Sequence, residues 1–239
     1  MRTDLEDAAV LARADALLSR GERLRRDRFM FERNRREFLL THALLRLALS
    51  RHAPAVGPRE WTFREGPHGR PEIDGPTRAP RLAFNISHTE GLGACLVADE
   101  GEVGVDVEAV DRPRDPVRAR NLAGIAENFF APYEIGALRA LPELEHRARF
   151  FTYWTLKEAY IKARGLGLAL PLDRFWFELQ GERGALPTGI RIDIAPELHD
   201  DAARWVFTLR APSARHLLAT ALAGPPSAAP IVVGPPLLK

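Results

Sequence analysis

Apolar residues recur every three or four positions in the segment REFLLTHALLRLALS, residues 36–50. Phe38, His42, Leu45 and Leu49 fall on one stripe of a helix drawn through this segment. Such a stripe is typical of a helix that packs on a core, so we predict a core-facing amphipathic helix. His42 lies on the stripe and is interpreted as a packed residue rather than a ligand.

A second helix is predicted over residues 144–164, ending where Gly165 and Gly167 can take the left-handed conformation. Short apolar runs follow each helix and predict antiparallel strands. They are RLAFNIS, GACLVAD and EVGVDVE after the first helix, and RFWFEL, GIRIDI, ARWVFTL and HLLATALA after the second. The stretch GPREWTFREGPHGRPEIDGPTRAP is predicted to be loop, with at most a short strand at residues 61–64.

The order of one long helix followed by antiparallel strands occurs twice, which predicts an α+β fold with an internal duplication. Residues 1–110 are expected to form the first half and residues 111–223 the second, with DRPRDPVRARN as the joint. Residues 224–239 hold too many prolines for regular structure and are predicted to be a surface tail.

Composition narrows the class of protein. The chain has 239 residues and is 46% hydrophobic, so it can bury a large core. Its longest apolar runs fall well short of the roughly 20 residues that a membrane-spanning helix needs, so no membrane association is expected. The single cysteine, Cys95, is interpreted as a small buried residue, and a cytoplasmic location is the simplest expectation.

Positive charge is concentrated in RGERLRRDRFMFERNRRE, residues 20–37, although the formal net charge of the chain is only +2. A run of this kind is either a solvated face, a contact for a phosphate-rich ligand or a contact for an acidic partner. No DNA- or RNA-binding motif accompanies it, so nucleic acid is not the expected partner.

Two carboxylates alternate with valines in GVDVEAV. The period of two places Asp106 and Glu108 on one face of a strand, about 7 Å apart at the backbone. Carboxylate oxygens at this spacing suit Mg²⁺, which takes one or two protein carboxylates and fills its other positions with water and phosphates. The alternative is a half-buried strand with a polar outer face.

The segment WTLKEAYIKARGLGL places Trp154, Glu158 and Lys162 on one helical face, at intervals of four. One interpretation is a surface ion pair, worth roughly 0.3 to 0.5 kcal/mol. The other is a partly buried carboxylate, which needs a metal or a cation beside it. In that case Glu158 completes a site with Asp106 and Glu108.

A hydroxyl and an imidazole end the strand FNISHT, where Ser87 and His88 could meet an anion. The two side chains point to opposite sides of a strand and no GxSxG motif is present, so a nucleophilic triad is not predicted. Structural hydrogen bonding is the alternative for Ser87.

The stretches GPHGRP, FNISHT, GVDVE and WTLKEAYIKARGLGL, in this order, resemble the motifs of the 4'-phosphopantetheinyl transferases of the Sfp type. The resemblance implies a pseudo-twofold fold, each half a long helix packed on a small antiparallel sheet, with coenzyme A bound in the cleft between the halves. It implies a monomeric enzyme that transfers 4'-phosphopantetheine from coenzyme A to a serine of an acyl, peptidyl or aryl carrier protein. Carrier proteins are generally acidic helical bundles.

The resemblance also implies residue roles. It assigns Mg²⁺ to Asp106, Glu108 and Glu158; phosphates to Lys157 and Lys162; and the 3'-phosphoadenosine part to Arg70, Ser87 and His88. From the arginine-rich run, Arg25 and Arg33 are added as phosphate contacts. Asp106, Glu158 and Lys162 are the predicted catalytic residues, with Glu158 as the expected base, directly or through water.

Glu134, in ENFFAPYE, is either a helper of the metal or base or a first-turn helix acid. Two other functions stay open on the sequence: a protein that binds coenzyme A or a nucleotide without catalysis, and a magnesium-dependent pyrophosphatase that acts on coenzyme A.

Overall fold

In a computed structural model of the chain, residues 1–66, 69–110 and 122–223 are described. They fall into two compact units, one within Met1–Val103 and the other within Gly104–Gly224. The predicted joint at 111–121 and the predicted tail at 224–239 lie outside the described residues. No helix in the described ranges has the length and apolar character needed to cross a membrane.

The described elements form a group of helices followed by a group of strands, and this order occurs twice. The helices are α1 (Ala8–Leu17), α2 (Arg20–Asp27), α3 (Glu32–His52), α4 (Leu122–Phe129), α5 (Pro132–Arg139) and α6 (Glu143–Arg164). The strands are β1 (Thr62–Glu65), β2 (Pro71–Gly75), β3 (Ala83–Thr89), β4 (Leu92–Ala98), β5 (Glu102–Ala109), β6 (Phe175–Gln180), β7 (Gly189–Ile194), β8 (Trp205–Ser213) and β9 (His216–Ala223).

In the first unit, α3 packs on the antiparallel pair β3–β4, while α1 and α2 pack on α3. A second antiparallel pair, β1–β2, adjoins the same core. Leu45, Leu49, Trp61 and Phe84 form the centre of that core. Cys95 lies in β4, and burial raises the pKa of its thiol to about 12, so the group stays protonated at neutral pH.

In the second unit, α6 packs on β9, β8 and β6. Its core contains Phe150, Tyr160 and Phe175, all less than 5% exposed. The helix ends at Gly165, whose φ of 68° is left-handed, as its position after the last apolar turn predicted. The strands form the antiparallel pair β6–β7 and a three-stranded sheet in the order β5-β9-β8.

The sequence predicted both long helices and the seven strands β3 to β9, and these are confirmed. The short strand allowed at residues 61–64 is β1, and the structure adds β2 and the shorter helices α1, α2, α4 and α5. The expected grouping of β5 with β3 and β4 is wrong, because β5 is hydrogen-bonded beside β9. The two compact units therefore divide inside β5, between Val103 and Gly104, rather than at residue 110.

Strand β5 approaches helix α6 at Gly104. A Cβ atom built on Gly104 would lie 2.0 Å from the carbonyl oxygen of Ala159 and 2.5 Å from the backbone nitrogen of Ala163. Since both contacts are with helix backbone, no side chain could rotate away to relieve them. The absence of a side chain at this position is therefore a condition for packing β5 on α6.

We expect Gly104→Ala to lower the free energy of unfolding by about 3 kcal/mol, the upper end for overpacking, because strand and helix must separate. Gly136→Ala is the matched control, since a Cβ there would meet nothing within 4 Å. It lies inside α5 and should be neutral or stabilising by up to about 1 kcal/mol. Urea unfolding of both variants measures the difference, and equal midpoints would contradict the packing argument.

Candidate functional site

The face of β5 that carries Gly104 also carries Asp106, because side chains two positions apart share a face. Asp106 is almost completely buried, and its Oδ1 accepts a hydrogen bond from Lys162 Nζ at 2.6 Å. Lys162 is 29% exposed. The close approach at Gly104 thus brings a strand carboxylate to the cationic end of α6.

Glu158 lies one turn before Lys162 on α6 and is half-buried. Its pKa is raised, first by burial and then by the nearby charge of Asp106, while Lys162 acts in the opposite direction. Within the described ranges, no hydrogen bond or ion pair reaches the Glu158 carboxylate. Asp106 and Glu158 therefore repel each other, and one ammonium compensates the pair.

The chemistry of this pair suits a hard cation, since both groups offer carboxylate oxygens and their repulsion would be relieved by positive charge. Glu108, the third predicted ligand, lies on the same strand and is half-buried. Among the residues that the structure describes, no group of three His, Cys, Asp or Glu side chains is placed to hold a metal ion. The ligand set of Asp106, Glu108 and Glu158 remains a prediction.

Lys157, the neighbour of Glu158, occupies a different environment. Its side chain is 0% exposed and pairs with Glu134, also 0% exposed, at 2.8 Å. Its ammonium also donates to the carbonyl oxygens of Leu172 at 2.7 Å and Phe175 at 2.6 Å. The role predicted for Lys157 at a phosphate is thus corrected, because its three donors already serve buried oxygens.

Glu134 is also structural. Its carboxylate accepts hydrogen bonds from the backbone nitrogens of Ala131 and Phe177, each at 3.1 Å. Burial raises the pKa of Glu134 and lowers the pKa of Lys157, whereas their mutual attraction opposes both shifts. The Lys157 ammonium donates to three oxygen atoms, and the Glu134 carboxylate accepts from that ammonium and two backbone nitrogens. The two residues therefore form a buried ion pair whose hydrogen bonds are satisfied. Glu134 is therefore a first-turn helix acid with a structural role. Its contacts do not support a role as a helper of the metal or as a base.

The first unit contains a cavity of about 390 Å³ between α2, α3 and the β1–β2 pair. Cationic, aromatic and small polar side chains share its wall: Ser19, Gly21, Glu22, Arg25, His42, Leu45, Arg46, Trp61, Thr62, Phe63, Arg64, Glu65, Gly69 and Pro71. Arg25 is exposed at its edge and sits 5.9 Å from the centre of the Phe38 ring. Aromatic walls with a cation at the rim suit a planar, anionic ligand.

A buried cluster holds α2 against this cavity. Arg46, 1% exposed, donates to Glu22 Oε2 at 2.7 Å and to the carbonyl oxygen of Trp61 at 2.9 Å. His42 Nδ1 lies 3.0 Å from Glu22 Oε1, and its ring stacks on Phe38. Although burial raises the pKa of Glu22, the hydrogen bonds from His42 and Arg46 dominate and lower it to about 2.

Sequence reasoning missed Glu22 and Arg46, although one signal was available. Ser19 and Glu22 form a capping box at the start of α2, and the pattern Ser-x-x-Glu is visible in SRGE. The packed interpretation of His42 agrees with its stacking, but its ring also lines the cavity.

The remaining predicted nucleotide contacts do not line this cavity. Ser87 is buried in β3, while His88 on the other side of the strand is exposed. Arg70 donates to the carbonyl oxygens of Phe84 at 2.9 Å and Val103 at 3.1 Å, so its guanidinium is tied to strand ends. Arg33 is exposed on α3, 3.6 Å from Glu37.

Comparison with known proteins identifies the family. The family model of the 4'-phosphopantetheinyl transferase superfamily matches residues 102–220. A 4'-phosphopantetheinyl transferase of Bacillus subtilis is 31% identical over 167 residues, which cover 70% of this chain and 69% of the relative. The chain belongs to the 4'-phosphopantetheinyl transferase superfamily.

Two further relatives carry individual names. The 4'-phosphopantetheinyl transferase HetI of a Nostoc species is 36% identical over 154 residues, covering 64% of this chain and 62% of HetI. The transferase Sfp of Bacillus subtilis is 31% identical over 148 residues, covering 62% of this chain and 60% of Sfp. The aligned part of the chain thus spans less than two thirds of either protein.

The superfamily match places the two candidate sites differently. It contains β5 and α6, and with them Asp106, Glu108, Glu158 and Lys162. The cavity of the first unit lies before residue 102 and outside the match. The superfamily model therefore covers the carboxylates and the lysine but does not cover the cavity.

We expect Lys157→Met to lower the free energy of unfolding by about 3 to 5 kcal/mol, because Glu134 would remain as an uncompensated buried charge. The double variant Glu134→Gln/Lys157→Met is the control, and it should lose less stability than the sum of the two single variants. Urea unfolding of the wild type, Glu134→Gln, Lys157→Met and the double variant completes this double-mutant cycle. A Lys157→Met protein of wild-type stability would contradict the structural role of the ion pair.

Proposed function

We propose that this protein transfers the 4'-phosphopantetheine group of coenzyme A to a serine hydroxyl of an apo carrier protein, and releases 3',5'-ADP. The observation that carries the proposal is the pairing of buried Asp106 with Lys162, beside the half-buried carboxylate of Glu158. Superfamily membership supports the same reaction. No activated serine or cysteine is needed in the chain, since the nucleophile belongs to the carrier protein.

The proposed reaction depends on magnesium, so the enzyme would be a magnesium-dependent holo-[acyl-carrier-protein] synthase. Asp106 and Glu158 would hold the ion, with Glu108 as a further candidate. A bound Mg²⁺ would supply charge neutralisation at the pyrophosphate of coenzyme A. Lys162, whose ammonium is partly exposed, would add positive charge beside the leaving 3',5'-ADP.

Glu158 would act as the general base. Its carboxylate would accept the proton of the carrier serine hydroxyl, directly or through a water molecule. A pKa raised by burial makes a carboxylate a stronger base than a solvated one, which favours this assignment over an exposed acid.

The cavity of the first unit would take the 3'-phosphoadenosine part of coenzyme A. The half-buried rings of Phe63 and His42 offer surface for a purine, and Arg25 offers a guanidinium for a phosphate. In this proposal Arg25 is preferred to Arg33 because Arg33 does not line the cavity. Arg70, Ser87 and His88 stay candidates for the same ligand.

Both units contain a long helix packed on antiparallel strands, which supports the predicted internal duplication. In this proposal the enzyme is a monomer, as the family resemblance implies. The carrier could be an acyl, peptidyl or aryl carrier protein, because no described feature selects among them.

One assay separates the proposed transferase from its rivals. The protein is incubated with coenzyme A, Mg²⁺ and apo carrier proteins of several types, and the carriers are analysed by intact mass. A transferase adds the mass of phosphopantetheine to a carrier. A pyrophosphatase consumes coenzyme A without a carrier adduct, and a binding protein does neither. The absence of an adduct on every carrier would overturn the proposal.

We expect Glu158→Gln to reduce transfer by at least about 100-fold, the lower range for loss of a general base. The fold should persist, because the half-buried carboxylate has no described partner to lose. Thermal unfolding with and without Mg²⁺ provides a second readout: the ion should raise the wild-type Tm and leave the Tm of Glu158→Gln unchanged. Near-wild-type turnover in Glu158→Gln would contradict both assignments.

We expect Arg25→Ala to raise KM for coenzyme A by about tenfold, equivalent to about 1.4 kcal/mol, through loss of a charge-assisted contact. Dephospho-coenzyme A, which lacks the 3'-phosphate, is the matched substrate, and its KM should stay the same in both proteins. Arg33→Ala is the control variant and should leave both constants unchanged. The reverse result would move the phosphate contact from Arg25 to Arg33.

A further inference from the structure

Helix α2 has a second face that does not line the cavity. Arg20, Leu24 and Arg28 follow one another at intervals of four, so they share one side of the helix. All three are exposed, Leu24 at 55%. Met30 and Phe31 come directly after the helix and are 79% and 59% exposed. These five residues are called the α2 face.

The arginines of the α2 face differ from their neighbours in having no partner among the described residues. Arg23 donates to the carbonyl oxygen of Asp15 at 3.0 Å, and Arg26 forms an ion pair with the Asp15 carboxylate. Over residues 1–66, 69–110 and 122–223, neither Arg20 nor Arg28 makes a side-chain hydrogen bond or ion pair. Their charges are therefore available to an external group.

Exposed apolar side chains between unpaired arginines are typical of a protein interface, where Arg, Met and Phe are enriched. We propose that the α2 face binds the carrier protein through an acidic helix of that protein; the inference rests on the proposed function. The carrier's carboxylates would pair with Arg20 and Arg28, about 12 Å apart along the helix axis. Its apolar side chains would contact Leu24, Met30 and Phe31.

The geometry favours an acidic protein over an anionic membrane. Helices that lie in a membrane surface bury a continuous apolar face along their length. Helix α2 spans Arg20–Asp27 and offers Leu24 as its one apolar residue, so its outer side is a charged row with a single apolar contact. A facing helix with two acidic residues eight positions apart and an apolar residue between them matches that row, because the two spacings are the same length.

The α2 face also adjoins the candidate cofactor cavity. Helix α2 contributes Gly21, Glu22 and Arg25 to the cavity wall, and Arg20, Leu24 and Arg28 to the outer row. Glu22 fixes the helix to Arg46, so the outer row is presented on a rigid element. The inner side of this short helix would thus contact coenzyme A, and its outer side would contact the carrier protein.

The test is steady-state transfer with an apo carrier protein. Arg20→Glu/Arg28→Glu should raise KM for the carrier by about tenfold or more, since two attractive charges become repulsive. KM for coenzyme A and kcat at saturating carrier should stay within about twofold, because neither arginine lines the cavity. Leu24→Ser/Phe31→Ser should also raise KM for the carrier, but without the salt dependence of the charge variant.

Arg51→Glu/Arg59→Glu is the matched control. Both arginines are exposed on the first unit and outside the α2 face, and the change in net charge is the same. Equal KM values for the two charge-reversed proteins would overturn the α2 face as the docking surface. Sedimentation with vesicles of phosphatidylserine and phosphatidylcholine tests the lipid alternative: vesicle binding lost in Arg20→Glu/Arg28→Glu, with an unchanged KM for the carrier, would also overturn it.

The two proposals fail in different ways. If the wild-type protein modifies no carrier of any type, the proposed function falls and the partner of the α2 face falls with it. If the wild-type protein modifies carriers and the α2 variants do so with unchanged KM, the docking surface falls and the proposed function stands.

Discussion

The close contact between β5 and α6 at Gly104 is the constraint on which the candidate site depends. A strand and a helix normally pack with side chains between them, which keeps their backbones well apart. Here the strand position that faces Ala159 and Ala163 has no side chain, so the backbones can approach. The next residue on the same strand face, Asp106, is then within 2.6 Å of Lys162, a residue 56 positions away in the sequence. The ionic contact lies beside this packing contact, because Asp106 follows Gly104 by two residues on the same strand face and Lys162 lies next to Ala163 on α6.

Two neighbouring ionisable residues of α6, Lys157 and Glu158, lie in different environments. Successive residues on a helix differ by about 100° in direction, so Lys157 and Glu158 cannot share an environment. Lys157 points into the core and finds three oxygen atoms, whereas Glu158 is half-buried beside Asp106 and finds none among the described residues. The two residues thus differ in their partners: Lys157 belongs to a structural ion pair, and Glu158 has no described hydrogen-bond or ion-pair partner. The pair Lys157–Glu134 ties α6 to α5 and to the start of β6, and so it fixes the rotation at which α6 presents Glu158.

The parts of the fold that follow from local pattern were predictable from the sequence. The stripe of α3 and the glycine stop of α6 depend on residues close together in the chain, and both are confirmed. The neighbour of β5 was not predictable, because strand pairing depends on contacts distant in sequence and β5 has the same apolar character as β3 and β4. Helix α2 was missed because it has no apolar stripe. A capping box and the ion pair of Glu22 with Arg46 stabilise it instead.

The same distinction explains the outcome at the candidate site. The spacing of Asp106, Glu158 and Lys162 indicated a common site, and the structure brings Lys162 to Asp106 with Glu158 close enough for their charges to interact. The spacing of residues in the sequence, however, does not show which charged side chains are buried. Lys157 and Glu134 look like any charged residues in the sequence, and only the tertiary structure shows that both are removed from water. The family resemblance assigned Lys157 to a phosphate because of its type and position, whereas the structure places its ammonium against buried oxygens.

The charges at the site also explain why Glu158 suits more than one role. Asp106, Glu158 and Lys162 together hold two carboxylates and one ammonium in a region partly removed from water, so one negative charge is left to compensate. The free protein can relieve that charge by protonating Glu158, the direction in which burial and Asp106 move its pKa. A cation beside both carboxylates would relieve the same charge and would lower the pKa of Glu158 again, so a proton and a cation would compete for this charge. Burial beside Asp106 therefore leaves on Glu158 a negative charge that either a proton or a cation would compensate, and the packing at Gly104 lies on the strand face that holds Asp106 near it.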